Sequence, residues 1–534
     1  LAGPCPVALM TAKSRPPTCT FDRVIRQNAS RYPDKTASIF RDRRVTYGAL
    51  DLRLNRLVNA LQRLGLVPGD RIAVLSRNSH IYIETLLGAA KGGFVLTTLN
   101  FMLDPVGLSY ILRHSDARVI LFQSEFSAVV ELIASDCPAL EHCIDLDGVT
   151  EFAKGYEDLL TTSSDEDPKV RVHESDLWLL VYTSGTTGRP KGVMLSHRNI
   201  CTNVADSASG VGLTISTINL NVCPLYHVAA SVFQTLTTFY LGGKSVTLES
   251  FDPVAVLEAI ARERITYTFF VPTMIFRILE LKDAGCHDLS SLKRVGYGAA
   301  PMPIDRLKKA IDLFGMTLFQ GYGLTESTAN IVILSPEDHD LTASGDRLTR
   351  LQSCGRGHSG HELRVLDDLG NELPPGEIGE ICVRSESVME GYWKDPDNTC
   401  KAIRSGWLHS GDMGYMDQNR YIYIAGRRND MIKSGGEKIY PQEIEELLFG
   451  HPAVLEAAVC GVPHPDWGEV PRAYVALRPG SSLSAEEILA YCASALPGFK
   501  CPKDVVFLSE LPKTASGKIT RAALQVGPLG SAPE

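Results

Sequence analysis

The 13 cysteines of this chain form no CxxC pair and no cluster with histidine at zinc-ligand spacing. A zinc module is therefore not expected, and an odd, scattered set of thiols does not make a disulfide framework. Such usage fits a reduced, cytoplasmic protein. No apolar run approaches the length of a membrane span. Basic charge is not in excess either. Lys and Arg total 53 against 62 Asp and Glu, a net charge of −9, which argues against a nucleic-acid partner that needs a dominant basic face. No repeat of solenoid period occurs. The first twenty residues hold only a short apolar patch, Val7–Met10, too weak for a secretory signal. They and the segment after Arg521 are expected to be loosely structured.

The chain has 534 residues, too many for one core, so at least two domains are expected. Helical and strand signals alternate through most of it. Asp51–Leu64 has apolar residues at helical spacing, and Pro68-Gly69-Asp70 turns into a strand-like Arg71–Leu75. Asp252-Pro253 opens a helix, Ile265–Val271 is β-branched and aromatic, and Arg294–Gly298 is another short strand. This alternation predicts doubly wound α/β layers. From Gly360 short strands dominate (Glu362–Leu366, Ile378–Arg384, Tyr421–Ala425), which predicts a β-rich subdomain. The polar run Gly426-Arg427-Arg428-Asn429-Asp430 is the candidate linker. Beyond it, Tyr440-Pro441 opens a helix closed by Gly450, and Ser484 with Glu487 has the capping-box pattern. The expected division is 1–426, a hinge at 427–430, and a small α+β domain over 431–534.

The most informative string is Tyr182-Thr183-Ser184-Gly185-Thr186-Thr187-Gly188-Arg189-Pro190-Lys191-Gly192, which follows the apolar strand Leu177–Val181. Glycines let backbone N–H groups approach an anion, while the hydroxyls and Lys191 add donors. The composition is that of a polyphosphate cradle. It is not a Walker A loop, because Gly192 rather than Ser or Thr follows the lysine. An ordinary Gly/Ser/Thr turn would explain a random polar loop, but not this ordered string.

The string resembles the signature loop of the adenylate-forming superfamily, which includes acyl-CoA synthetases, luciferases and the adenylation domains of peptide synthetases. The resemblance runs from about Phe21 to Arg521, with further motifs in the family's order. It implies a cradle for ATP phosphates built by Thr183, Ser184, Gly185, Thr186, Thr187, Gly188 and Lys191. In Gln320-Gly321-Tyr322-Gly323-Leu324-Thr325-Glu326 it implies that Tyr322 stacks on adenine between Gly321 and Gly323. Thr325 would then contact the α-phosphate, and Glu326 would hold Mg2+ together with Thr183. A glycine-rich turn ending in a first-turn acid would account for the local structure alone. Gly298, Ala299 and Ala300 would line the adenine and acyl sites. Asp412 and Arg427 match the ribose positions; a lone Asp in a turn is usually only a turn residue. Lys518, in Leu511-Pro512-Lys513-Thr514-Ala515-Ser516-Gly517-Lys518, matches the adenylation lysine, which stabilises charge developing on the α-phosphate. His227 would gate the acyl pocket, although a lone histidine there is more often a core residue.

The resemblance implies a two-step acid–thiol ligation, with Mg2+, ATP and coenzyme A as cofactor and co-substrates. A carboxylic acid and ATP give acyl-AMP and pyrophosphate, and the acyl group then passes to coenzyme A. The small domain would rotate between the steps about Asn429 or Asp430, bringing Ser434, Gly435 and Gly436 to the pantetheine path. Val228 stands where amino-acid-activating relatives carry Asp, so an amino acid is disfavoured. Val228, Ala229, Ala230 and Ser231 are expected to line a pocket for a fatty or aromatic acid. The competing readings are an acyl-AMP ligase with no thiol step, a luciferase, and a non-catalytic nucleotide- or acyl-binding relative. A homodimer is compatible with the sequence.

Overall fold

The computed structural model describes residues 19–183, 189–300, 302–342, 349–513 and 519–524. The helix at Tyr47–Arg63 starts where the Thr46 side chain accepts a hydrogen bond from the Ala49 N–H, satisfying one of the donors a helix start leaves open. It buries Leu50, Leu54, Leu57, Val58 and Leu61 on one stripe. The turn before the strand Arg71–Leu75 is made by Gly69 at φ 91° and by Asp70, whose carboxylate accepts the Val67 N–H at 2.8 Å. The expected helix start at Asp252 is also there, with its carboxylate on the Ala255 N–H at 2.8 Å.

Two large sheets form the body. The first runs Gly391–Tyr392, Lys191–Ser196, Leu177–Thr183, Val95–Thr98, Arg71–Leu75, Val119–Phe122, His142–Asp145, Lys154–Gly155. The second has nine strands. Tyr267–Phe270, Arg294–Gly298 and Leu318–Gly323 lie side by side and parallel within it, and Asn330–Leu334 follows antiparallel. One continuous apolar core joins both sheets through helices Phe21–Arg31, Tyr47–Arg63, His80–Gly92 and His197–Val211. This is the doubly wound α/β architecture expected.

A third sheet is antiparallel and built on Gly379–Arg384 and Trp407–Met416. Its strand Ile422–Arg427 runs further than the Tyr421–Ala425 expected, because Gly426 and Arg427 pair with Met413 and Asp412. The segment leading to the fourth sheet is thereby shortened to the turn Arg428–Asp430. The fourth sheet is the scaffold of the smaller domain. A long hairpin, Val454–His464 with Gly468–Leu477, packs under helices Pro441–Phe449 and Ala485–Ala495, around Ile444, Leu448, Val459, Val475 and Ile488. Ser484 and Glu487 form the capping box read from sequence. Among the described residues no helix is long and apolar enough to cross a membrane.

Charge is buried deliberately near the first sheet. Glu84, 2% exposed, takes a two-pronged bond from Arg53 at 2.7 and 2.8 Å and the Tyr156 hydroxyl at 2.8 Å. Removing one partner of such a pair leaves an uncompensated buried charge. Arg53→Ala should cost about 3–5 kcal/mol of stability, read as a lower urea midpoint for loss of the large domain's structure; a change within error would show that the pair is dispensable.

Candidate active site

The floor of the site is two parallel strand ends. Arg294–Gly298 and Leu318–Gly323 are paired with Gly298 opposite Gly321. A Cβ on Gly298 would lie 2.3 Å from the Gly321 carbonyl oxygen, and one on Gly323 1.7 Å from that of Ala329. Only glycine permits backbones to approach this closely. Two non-glycine residues beside the floor adopt left-handed backbone, Ala299 at φ 66° and Thr328 at φ 75°. Strain of this kind costs on the order of 1–3 kcal/mol per residue and gathers at functional sites. Ala299 and Ala300 are exposed.

At one end of the motif Gly321–Glu326, the Tyr322 hydroxyl donates to Asp412 Oδ2 at 2.6 Å. Asp412 Oδ1 is 2.8 Å from Arg427 Nε, and the two residues face each other across antiparallel strands. The Asp412 N–H is anchored on Ser410 Oγ at 3.0 Å. Burial first, and then the Asp412 carboxylate, hold the Tyr322 hydroxyl well above its ordinary pKa, so it stays a donor. Tyr322, Asp412 and Arg427, far apart in sequence, thus form one corner.

The other end reaches the phosphate hairpin. Thr325, Glu326 and Ser327 form a single 3-10 turn leading into a strand, not the helix start that a first-turn acid would suggest. Glu326 Oε1 accepts the Tyr392 hydroxyl at 2.8 Å. The Lys191 ammonium lies 5.1 Å from the centroid of the same Tyr392 ring. Thr183 and Lys191 face each other across the hairpin stem. Sequence reasoning missed Tyr392. It is held because Gly391–Tyr392 adds an edge strand to Lys191–Ser196, and because the Met389 N–H binds the Glu326 carbonyl at 2.9 Å. Ser184, Gly185, Thr186, Thr187 and Gly188 lie outside the described residues.

His227 is half-buried beside Tyr226, with ring centroids 5.3 Å apart. It leads into a π-helical stretch, Ala229–Leu236, a rare conformation that occurs frequently at functional sites. Val228, Ala230 and Ser231 are buried, whereas Ala229 is half-exposed. No periodicity marked this stretch, because Ala230–Leu236 is buried throughout.

Lys518 also lies outside the described residues. Its flanks are placed: Lys513 bridges to Ile519, and the Thr520 N–H binds the Pro512 carbonyl at 2.8 Å. Ser434 and Glu437 close a two-residue hairpin turn whose tip is Gly435 at φ 58° and Gly436 at φ 92°. Both glycines have a fold reason, since such turns demand positive φ. Gly435 has a second: a Cβ there would sit 2.4 Å from the Trp467 ring, itself 55% exposed.

The turn Arg428–Asp430 is gripped from both sides. Arg428 binds Asp368 at 2.7 Å and Glu380 at 3.1 Å, while Asp430 binds Arg521 at 3.1 Å. Asn429 lies between the two grips. Glu380 also accepts the Gly411 N–H at 3.0 Å and contacts His409 at 2.8 Å and Arg404 at 3.3 Å. Among the described residues, Glu380, Cys382 and His409 could converge on a metal ion. With two guanidinium groups already on its carboxylate, Glu380 instead ties the turn to the strand carrying Asp412.

The corner of Tyr322, Asp412 and Arg427, the hairpin bearing Lys191 and the glycine floor thus lie together on a fold whose class the comparisons with known proteins define. The chain belongs to the AMP-binding enzyme family: the family model matches residues 25–393 and that of the AMP-binding enzyme C-terminal domain matches 443–518. It is 38% identical over 485 residues to a feruloyl-CoA synthase of Amycolatopsis sp., covering 90% of this chain and 93% of the relative. It is 34% identical to a fatty acid–[acyl-carrier-protein] ligase of Streptomyces coeruleorubidus, covering 93% and 94%. The fold matches an anthranilate CoA ligase solved with anthranoyl-AMP, with a TM-score of 0.87 and 29% identity over 96% of this chain and 97% of that one. The enzyme is an AMP-forming acid–thiol ligase, and ATP and a carboxylic acid are its expected substrates.

Hydrogen bonds to charged groups are worth about 1.5–3 kcal/mol. Tyr392→Phe should therefore lower kcat/KM for ATP by roughly ten- to a hundredfold and raise the Mg2+ concentration giving half-maximal rate. Unchanged Mg2+ dependence would show that Tyr392 does not position Glu326.

Proposed function

We propose that the protein joins an apolar carboxylic acid to coenzyme A through an acyl-adenylate, and that aryl acids are preferred over fatty ones. The observation that carries this is the anchoring of one six-residue motif at both ends, at Asp412 through Tyr322 and at Lys191 through Tyr392 and Glu326. A nucleotide laid along it has its ribose beside Asp412 and Arg427 and its phosphates beside Glu326 and the hairpin. Tyr322 supplies a face for adenine. Glu326 and Thr183 offer hard oxygen ligands that suit Mg2+, which supplies charge neutralisation at the phosphates when bound. Thr325 and Lys518 are assigned to the α-phosphate, where charge develops as the carboxylate attacks.

His227 and the stretch Val228–Ser231 are assigned to the acyl pocket. The preference for aryl acids is supported by the small residues of the floor, by the Phe269 ring 3.2 Å from where a Gly298 Cβ would lie, and by the aromatic substrates in the relatives' names. Ala230 is fully buried, so a large residue there would disturb packing; half-exposed Ala229 is the better position to probe. Coenzyme A is assigned to the Ser434-Gly435-Gly436 turn, with exposed Trp467 beside it as a stacking surface for its adenine. Asn429 is assigned as the pivot from its place at the middle of the turn Arg428–Asp430, between the strand of the third sheet and the smaller domain.

Pyrophosphate release with ATP, Mg2+ and a panel of aryl and fatty acids tests the reading. Aryl acids should give the higher kcat/KM, and coenzyme A should be consumed in step. Release without thioester formation would leave an acyl-AMP ligase, and no release with any acid would favour a binding protein. Lys518→Ala should lower adenylation at least a hundredfold while sparing thiolysis of supplied acyl-AMP. Asn429→Pro, by fixing φ, should spare adenylation and slow thiolysis. Equal loss of both steps in either variant would refute that division of labour. Ala229→Trp should raise KM for bulky acids more than for short ones; equal change would remove Ala229 from the pocket.

A further inference from the structure

Beside the hairpin that carries Lys191, the large domain has an open cleft of about 450 Å³. It is lined by Tyr110, His114, Arg189, Pro190, Lys191, Trp393, Asp395 and Asn398. It lies between the helix Pro105–Ser115, the hairpin and the chain following Tyr392. Its walls are fixed. His114 Nδ1 meets the Tyr182 hydroxyl at 2.8 Å, the Trp393 indole N–H donates to the His114 carbonyl at 3.0 Å, and the Trp393 backbone N–H binds the Gly192 carbonyl at 2.8 Å. The Arg189 guanidinium stands 5.8 Å over the Tyr110 ring.

Lys191 belongs to both compartments. It lines the cleft and also lies on the ring of Tyr392, whose hydroxyl holds Glu326. A nucleotide running from Asp412 toward Glu326 therefore points its terminal phosphates at Lys191, with Arg189 and the cleft beyond. The one carboxylate in the lining, Asp395, is engaged: it accepts the Asn398 N–H at 3.1 Å and the Asn398 side-chain amide at 2.7 Å. Its charge suits the water shell that Mg2+ retains on a polyphosphate.

We propose that this cleft binds the departing magnesium pyrophosphate and is its route out of, and back into, the site. This rests on the acyl-adenylate reading above. In the forward step a carboxylate oxygen attacks the α-phosphorus, and the bond from the α-phosphorus to the α,β-bridging oxygen breaks. Pyrophosphate leaves with that electron pair. In reverse, a pyrophosphate oxygen attacks the α-phosphorus of acyl-AMP and the carboxylate leaves. Lys191 serves both compartments, whereas Arg189 offsets the product's charge outside the cradle assigned to ATP, so Arg189 acts on pyrophosphate more than on ATP.

The test uses the full chain, with isotope-labelled pyrophosphate exchange into ATP in the presence of an accepted acid. Arg189→Gln should raise KM for pyrophosphate about tenfold, with KM for ATP within twofold and thiolysis of supplied acyl-AMP unchanged. Arg189→Lys should restore most of the loss. Tyr110→Glu, which adds a negative charge to the opposite wall, should also raise KM for pyrophosphate. An unchanged KM for pyrophosphate, an equal rise for ATP and pyrophosphate, or an effect confined to Arg189 would overturn the proposal. So would a second, weaker ATP phase lost in Arg189→Gln, since the cleft would then hold a nucleotide triphosphate. Calorimetric titration with magnesium pyrophosphate separates the two readings. Binding to the wild type that is weakened in Arg189→Gln, with no exchange for any acid, would sink the adenylate reading alone. Intact exchange with equal calorimetric binding by wild type and variant would sink the cleft alone.

Discussion

The bond between Tyr392 and Glu326 is the constraint on which the phosphate side of the site depends. Glu326 sits on a three-residue turn at the end of the second sheet, and Lys191 on the hairpin of the first. Neither sheet's own hydrogen bonding relates these two groups. Tyr392 does, because it is an edge strand of the first sheet whose hydroxyl reaches the carboxylate of the second. Its hydroxyl is pushed above its ordinary pKa by burial, with Glu326 adding to the shift, so the bond persists across physiological pH. A carboxylate placed this way is preorganised: its direction is set by the fold, the condition under which a fixed charge is most effective.

The same economy governs the nucleoside side. Asp412 is 5% exposed and already bonded to Tyr322 and Arg427. A carboxylate held by two partners has its lone pairs aimed before ligand binding. The backbone pays in turn. Ala299 and Thr328 remain in left-handed conformations beside the floor, as strain persists only where surrounding structure over-determines it.

Much of this was legible in sequence where local chemistry sets the structure. Caps at Asp252 and Ser484, the turn at Gly69 and the glycines of the floor are signals within a few residues of their effect. The motif residues Tyr322, Asp412 and Arg427 were readable through family resemblance, and the structure brings them into one corner. Tyr392 was not readable, since its role arises from two strand pairings distant in the chain, and a Gly-Tyr-Trp string reads equally as core. The π-helical turn at Ala229–Leu236 was hidden for another reason: a segment buried throughout has no amphipathic period. The extra length of the strand ending at Arg427 followed from its partner Asp412, which local propensity cannot see.

The short turn Arg428–Asp430 joins the third sheet to the smaller domain and is held at both ends. Its two outer residues are tied by ion pairs to opposite bodies, Arg428 to Asp368 and Glu380, Asp430 to Arg521. Arg521 also binds Glu445 at 2.6 Å and lies just beyond the bridge of Lys513 to Ile519. Glu380, for its part, binds the Gly411 N–H beside Asp412. The turn is thus wired on one side to the strand carrying Asp412 and on the other, through Arg521, to the chain just beyond Ile519. Ion pairs at both ends of three residues therefore fix where the third sheet ends and the smaller domain begins.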